Sequence, residues 1–101
     1  MITLQFKDNI QLQWITIRLN VIVIRYGSRF HRLGGKPARQ VFFRDGKKKS
    51  IEYWEYGELH RLNKPAFIRY FESGPKWYEE YYECGVCTWQ LHYTIRLENY
   101  N

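Results

Sequence analysis

Apolar and polar residues alternate along the end of the chain, with Trp89, Leu91, Tyr93, Ile95 and Leu97 interleaved with Gln90, His92, Thr94, Arg96 and Glu98. Successive side chains of an extended backbone point to opposite faces, so this pattern predicts a strand with one face on the core and one in water. The N-terminus carries the same signal: Ile2, Leu4 and Phe6 alternate, Asp8-Asn9 reads as a turn, and Leu12 and Trp14 follow. There the parity changes, because Ile15, Ile17 and Leu19 occupy the opposite set. A bulge or twist at Trp14-Ile15 is the expected device. No segment sustains the apolar period of a helix, about 3.6 residues. The pattern therefore predicts an all-β fold, an antiparallel meander of about eight strands with little or no helix.

The middle of the chain repeats itself. Residues 37–57 set against 65–85 give nine identities: Pro37/Pro65, Ala38/Ala66, Phe43/Phe71, Gly46/Gly74, Lys48/Lys76, Glu52/Glu80, Tyr53/Tyr81, Glu55/Glu83 and Gly57/Gly85. His31-Arg32-Leu33 recurs as His60-Arg61-Leu62, and Tyr26-Gly27 is echoed by Tyr56-Gly57. A period of this size marks a supersecondary unit that buries its apolar face only by stacking on its neighbours. Units of about 26–57 and 58–87 are expected, with flanking strands in 1–25 and 88–98, all within a single domain spanning 1–101.

Each unit has the local signals of a hairpin. Val41-Phe42-Phe43 runs into Asp45-Gly46, and Ile51 to Tyr56 returns to a closing Gly57. Asp-Gly between β-prone runs is a strong turn signal. The second unit has Ser73-Gly74-Pro75 in the same place, and the Lys-Pro-Ala steps at 36–38 and 64–66 should each open a strand, since the residue before proline is forced to extend.

These residues, His-Arg-Leu, Pro-Ala, a turn glycine and Tyr-x-x-Tyr-Gly, resemble the MORN-like repeats, in the variant His-Arg-x-x-Gly-Pro-Ala found in bacterial, phage and giant-virus proteins. The resemblance covers residues 26–87, with Lys36 and Lys64 where the family has glycine and Thr88-Trp89 where a third His-Arg would fall. It implies a meander of hairpins acting as a scaffold or interaction surface, and no catalytic residues.

Charge divides the chain. The protein has 16 Lys and Arg against 10 Asp and Glu, a formal +6. Residues 1–50 carry a net +9 and residues 51–101 a net −3, while 13 of the 19 aromatic rings fall after residue 50. A basic end and an aromatic, acidic end are expected to form two contact surfaces. The longest apolar run, Val21 to Ile24, is far short of the ~20 residues of a membrane span, and Lys7 and Asp8 interrupt any leader-like block. A cytoplasmic protein with no membrane partner is expected, in a host cell if phage-encoded.

The candidate chemistry is sparse. Cys84-Gly85-Val86-Cys87 lacks a second ligand pair for zinc and the helical setting of a redox motif, so reduced thiols beside a turn are expected, with a disulfide or a metal left open. The His-Arg pairs recur, which fits a group that fixes each repeat better than a catalytic one: His bonded across the turn, Arg against a carboxylate or ring. Glu52/Glu55 and Glu80/Glu83 point to opposite faces and form no dyad. No nucleophile context or phosphate loop is present, so no enzyme, no cofactor, no catalytic residue and no metal ligand is expected.

Two binding regions stand out. Arg39, Arg44, Lys47, Lys48 and Lys49 surround a turn beside Phe42 and Phe43, a candidate site for nucleic acid or an acidic partner. Trp54, Tyr56, Trp77 and Tyr78 are candidate protein-binding aromatics. The expected function is a non-enzymatic protein whose β-repeat surface engages a host protein or ribonucleoprotein complex, in the manner of an anti-CRISPR-like phage inhibitor of host defence. Direct nucleic-acid binding through the basic half and an immunity or antitoxin-like role are the alternatives. A homodimer through open sheet edges is a further expectation.

Overall fold

In a computed structural model of the chain, residues 1–8 and 11–93 are described. The described residues form eleven strands: β1 (Ile2–Asp8), β2 (Gln11–Arg18), β3 (Val21–Tyr26), β4 (Arg29–Phe30), β5 (Arg39–Phe42), β6 (Lys48–Glu52), β7 (Trp54–Glu55), β8 (Glu58–Leu59), β9 (Phe67–Tyr70), β10 (Lys76–Glu83) and β11 (Val86–His92). The main sheet runs β1-β2-β3-β5-β6-β9-β10-β11, with β4 paired to β3, and β7-β8 form a separate two-stranded ribbon. Every pairing is antiparallel. The all-β meander is thus the fold, with more and shorter strands than the eight expected. Its principal extents of 54 × 32 × 17 Å are those of a slab little thicker than one sheet with its side chains.

The turns form where the sequence places them. Phe43 N–H donates to the Lys47 carbonyl and Gly46 N–H to that of Phe43, while Phe71 to Pro75 and Gly74 to Phe71 repeat the pattern one unit later. β5 and β9 begin directly after the Pro-Ala steps. At Tyr56-Gly57 both residues have positive φ, 49° and 81°, and at Cys84-Gly85 the angles are 47° and 81°. These are two-residue turns of the kind that matches the twist of a hairpin.

Cross-unit hydrogen bonds also recur. Arg32 N–H donates to Trp54 O and Arg61 N–H to Tyr82 O; Ala38 to Glu52 and Ala66 to Glu80; Gly57 to Phe30 and Gly85 to Leu59. In each turn the first N–H, of Tyr56 or Cys84, donates to Nδ1 of the histidine one unit back, His31 at 2.8 Å and His60 at 3.0 Å.

The register sorts the side chains into two faces. One carries a row that crosses the whole sheet: Ile2, Ile17, Ile22, Gln40, Ile51, Ile68, Glu79 and Leu91. Here lie the buried Ile24, Ile51 and Ile68, with Ala38 and Ala66 packed where their short side chains let the loops close. The other face is an open sheet surface, described below.

Three expectations are corrected. No bulge occurs at Trp14-Ile15, since β2 keeps unbroken register with both neighbours. Instead Gln11 and Gln13 share the face of Ile15 and Ile17. Gln13 is fully buried and donates to the His31 carbonyl, and Gln11 Oε1 lies 2.7 Å from His31 Nε2. The inward set was polar, and the apparent change of parity followed from that. The strand from Ile51 to Tyr56 is interrupted at Tyr53, whose N–H turns aside to Ala66 O, so β7 pairs with β8 rather than with the main sheet. The C-terminal strand begins at Val86 and is described as far as His92. Its predicted continuation through Ile95 and Leu97 lies outside the described residues. Trp89 shares the face of Leu91 and the isoleucine row but is 54% exposed, because β11 is the last described strand of the sheet. True register shifts occur at Val41/Phe42, Lys76/Tyr78 and Tyr81/Tyr82.

His31→Ala removes the acceptor of Tyr56 N–H and the ring partner of Gln11 Oε1, and leaves a cavity where a fully buried ring stood. A loss of about 2–4 kcal/mol is expected in urea unfolding, whereas the same change at an exposed lysine of the β5-β6 turn should cost under about 0.5 kcal/mol. Equal effects would refute a structural role for the histidine.

Candidate functional site

The open face is built by the same register. One row reads Thr16, Val23, Arg39, Glu52, Phe67, Glu80 and Gln90, and the next Arg18, Val21, Val41, Ser50, Arg69, Tyr78 and His92. Arg25 shares the face, opposite Trp14. Each strand contributes alternate residues, so arginines of the N-terminal half and rings of the C-terminal half share one surface.

At the N-terminal end, Thr16, Arg18, Val21, Val23, Arg25 and Arg39 line a hollow of about 340 Å³. The Arg25 guanidinium lies 5.5 Å from the Trp14 ring and donates to Gly27 O at 2.6 Å. Arg39 forms an ion pair with Glu52, whose carboxylate is buried and also accepts from Trp54 Nε1 at 2.9 Å. The carboxylate is thus neutralised within the protein, and two of the three guanidinium groups are fixed by ring or hydrogen-bond contacts.

At the other end the rings stack. Phe67 and Tyr78 lie 5.8 Å apart and nearly parallel, and Tyr78 and His92 5.3 Å apart. Trp77, the extra residue of the β10 bulge, stacks on Phe71 at 5.5 Å, and the Arg69 guanidinium lies 5.3 Å from its ring. Trp77 remains 41% exposed. Cross-strand aromatic pairs contribute roughly 0.5–1.5 kcal/mol beyond area burial, so the stack is structural as well as exposed.

The sequence-predicted residues fall in three places. Arg44, Lys47 and Lys48 are exposed at the β5-β6 turn, with Lys47 Nζ 3.8 Å from Asp45 and Lys49 Nζ 5.8 Å from the Phe43 ring. Arg39 does not join them, because its pairing with Glu52 holds it on the sheet face. Trp77 and Tyr78 are in contact, 5.5 Å apart and edge to face. Trp54 packs edge to face on Phe30, and Tyr56 lies over His31 at 4.1 Å. No ring contact joins the 54/56 pair to the 77/78 pair among the described residues. Sequence reading missed Arg18, Arg25, Arg69, Phe67 and His92. Their signal was parity within strands, legible only once the register between distant strands is known.

A second concavity, about 490 Å³, lies over the loops and is lined by Arg32, Lys36, Arg61, Lys64, His60 and Tyr53 among others. The Arg61 guanidinium sits 3.8 Å from the Tyr53 ring and donates to Pro65 O, as expected of an arginine that braces its repeat. Cys84 and Cys87 are free and exposed. Cys84 lies in the two-residue turn rather than beside it, and no cluster of three or more metal-ligating side chains occurs among the described residues. Among the described residues, no helix is long and apolar enough to cross a membrane.

Tyr93 donates to Glu79, and that hydrogen bond, followed by burial and the carboxylate charge, raises its phenol above the usual 10.0. The neutral phenol is the favoured form, so this contribution to stability is intact below pH 10 and lost as pH rises through the raised value. Glu79→Gln should move the Tyr93 transition down in a tyrosinate absorbance titration.

Comparison with known families, curated proteins and solved structures finds no match to this chain.

Removing Arg39 leaves Glu52 buried without its cation. Arg39→Ala is expected to cost about 2–3 kcal/mol in urea unfolding, with recovery of a large part in Arg39→Ala/Glu52→Gln; a double variant no better than the single one would show that the pair is not the cause.

Proposed function

We propose that this chain is a non-enzymatic binding protein of the MORN-like kind, whose β-repeat surface engages a protein partner or a ribonucleoprotein complex. The observation that carries the reading is the stacked, partly exposed cluster around Trp77 and Tyr78 on the open sheet face. Large rings held in place by their neighbours offer contact area at little entropic cost on binding. The recurrence of cross-unit hydrogen bonds supports the repeat reading, and both histidines accept turn N–H groups, a structural employment. A phage-encoded inhibitor that occludes a host defence complex in the cytoplasm is the setting this architecture suits, and an immunity-type partner protein would use the same surface. The arginine hollow on that face favours nucleic acid as a direct ligand as the second reading. Ile2 and Leu4, 56% and 57% exposed on edge strand β1, offer a contact for self-association.

Affinity purification after nuclease treatment is expected to return one stoichiometric partner, lost with Trp77→Ala while the β-sheet circular dichroism is retained. Recovery of the free protein only, or a partner held equally by the Trp77→Ala variant, would overturn the reading.

A further inference from the structure

We infer that the open face of the sheet binds single-stranded nucleic acid, with phosphates seated in the arginine hollow and on Arg69, and bases stacked against Trp77 and His92. This specifies the binding-protein reading above and moves the nucleic-acid site away from the β5-β6 turn.

The first ground is charge. Arg18, Arg25, Arg39 and Arg69 share a face on which the paired rows place two carboxylates, Glu52 and Glu80. Glu52 is buried and bonded to Arg39 and Trp54, and Glu80 accepts from Gln90 Nε2 at 2.8 Å, so four cations against two carboxylates leave the face with a net positive charge, carried chiefly by Arg18, Arg25 and Arg69. Guanidinium groups fixed by ring, carbonyl and carboxylate contacts lose little freedom when a phosphate arrives.

The second is the geometry of the rings. The stack Phe67–Tyr78–His92 runs across the strands and ends on the exposed His92 of β11, the last described strand. A base laid on its outer side continues a column that already exists. Trp77 is braced by Phe71 and Arg69 and keeps 41% exposure, which leaves a second platform. Such platforms need an unpaired base, since the faces of duplex bases are covered by their neighbours.

The third is reach. Arg18 on β2 and Arg69 on β9 stand in one row, four strand steps apart, about 19 Å at about 4.8 Å per step. Tyr78 and His92 continue the same row. A strand laid across the sheet therefore meets cations and then rings in order, over a length suited to a site of a few nucleotides.

Fluorescence anisotropy with a labelled oligodeoxythymidine of about 12 nucleotides, and with a duplex of equal length, tests this between about 50 and 200 mM salt. The single strand should bind at least about tenfold more tightly than the duplex, with affinity falling steeply as salt rises. Arg18→Ala, an exposed position, should lower the salt slope by about one, and Trp77→Ala and His92→Ala should each weaken binding about fivefold or more. Quenching of tryptophan fluorescence by the oligonucleotide, lost in Trp77→Ala, gives a readout independent of folding differences. The Lys47→Ala/Lys48→Ala/Lys49→Ala variant should bind within about twofold of the parent. Absence of binding at the lowest salt, equal affinity for duplex, or loss with the lysine variant but not with Arg18→Ala would overturn the inference. A nuclease-resistant protein complex that survives such a failure would leave the broader binding-protein reading standing, so the two fail separately.

Discussion

An imidazole nitrogen that accepts the first N–H of the next unit's turn is the contact on which the repeat depends. The turns at Tyr56-Gly57 and Cys84-Gly85 hold a non-glycine residue at positive φ, a conformation that costs about 1 kcal/mol or more for an L side chain. That cost is tolerated because the turn N–H finds His31 or His60 and the glycine N–H finds the preceding short strand. The bond to His31 also fixes its tautomer. Nδ1 accepts, so Nε2 carries the proton and donates to Gln11, which in turn donates to the Tyr56 hydroxyl. A buried ring thus ties β2, the loop after β4 and the turn after β7 into one network, and Gln13 completes it by holding the His31 carbonyl.

From this follows the shape. Units linked turn to loop extend sideways, so the main sheet grows strand by strand from β1 to β11, with the β7-β8 ribbon outside its path. One face holds the isoleucine row, with Ile24, Ile51 and Ile68 buried; on the other, side-chain stacking and ion pairing limit exposure. A sheet of this kind must stabilise its open face locally, which is why Glu52 is neutralised by Arg39 and why rings stack across β9, β10 and β11 rather than projecting singly.

Much of the repeat was legible in the sequence because its determinants are local. Gly46, Gly74, Gly57 and Gly85 mark turns by their tolerance of positive φ, and Pro37 and Pro65 fix the strands that follow. What was not legible depended on partners far along the chain. Gln11 and Gln13 read as solvent-facing until His31 is placed beside them, and so Leu12 and Trp14 were mistaken for the inward set. Tyr53 looks like a strand residue, but its backbone is drawn to Ala66 one unit ahead, which detaches β7 from the main sheet. Arg39 adjoins the basic run in sequence, yet strand alternation and the buried Glu52 carry it to a different surface.

The division of charge along the chain is where the sequence and the fold differ most in meaning. Read linearly, a basic half and an aromatic, acidic half look like two sites for two partners. In the sheet the halves are successive strands, and alternation sends Arg18, Arg25 and Arg39 to the same face as Phe67, Arg69 and Tyr78. The acids of the second half cancel this only in part: Glu52 is paired with Arg39, Glu79 lies on the buried face with Lys76 and Tyr93, and Glu80 is hydrogen-bonded to Gln90, so Arg18, Arg25 and Arg69 carry the positive character of the face. A polarity that runs along the sequence becomes a gradient across one surface, cations at one end and rings at the other. Such a gradient suits a single extended ligand whose own anionic and planar groups repeat along its length, since an extended chain meets both ends at once where a compact anion would occupy only the hollow.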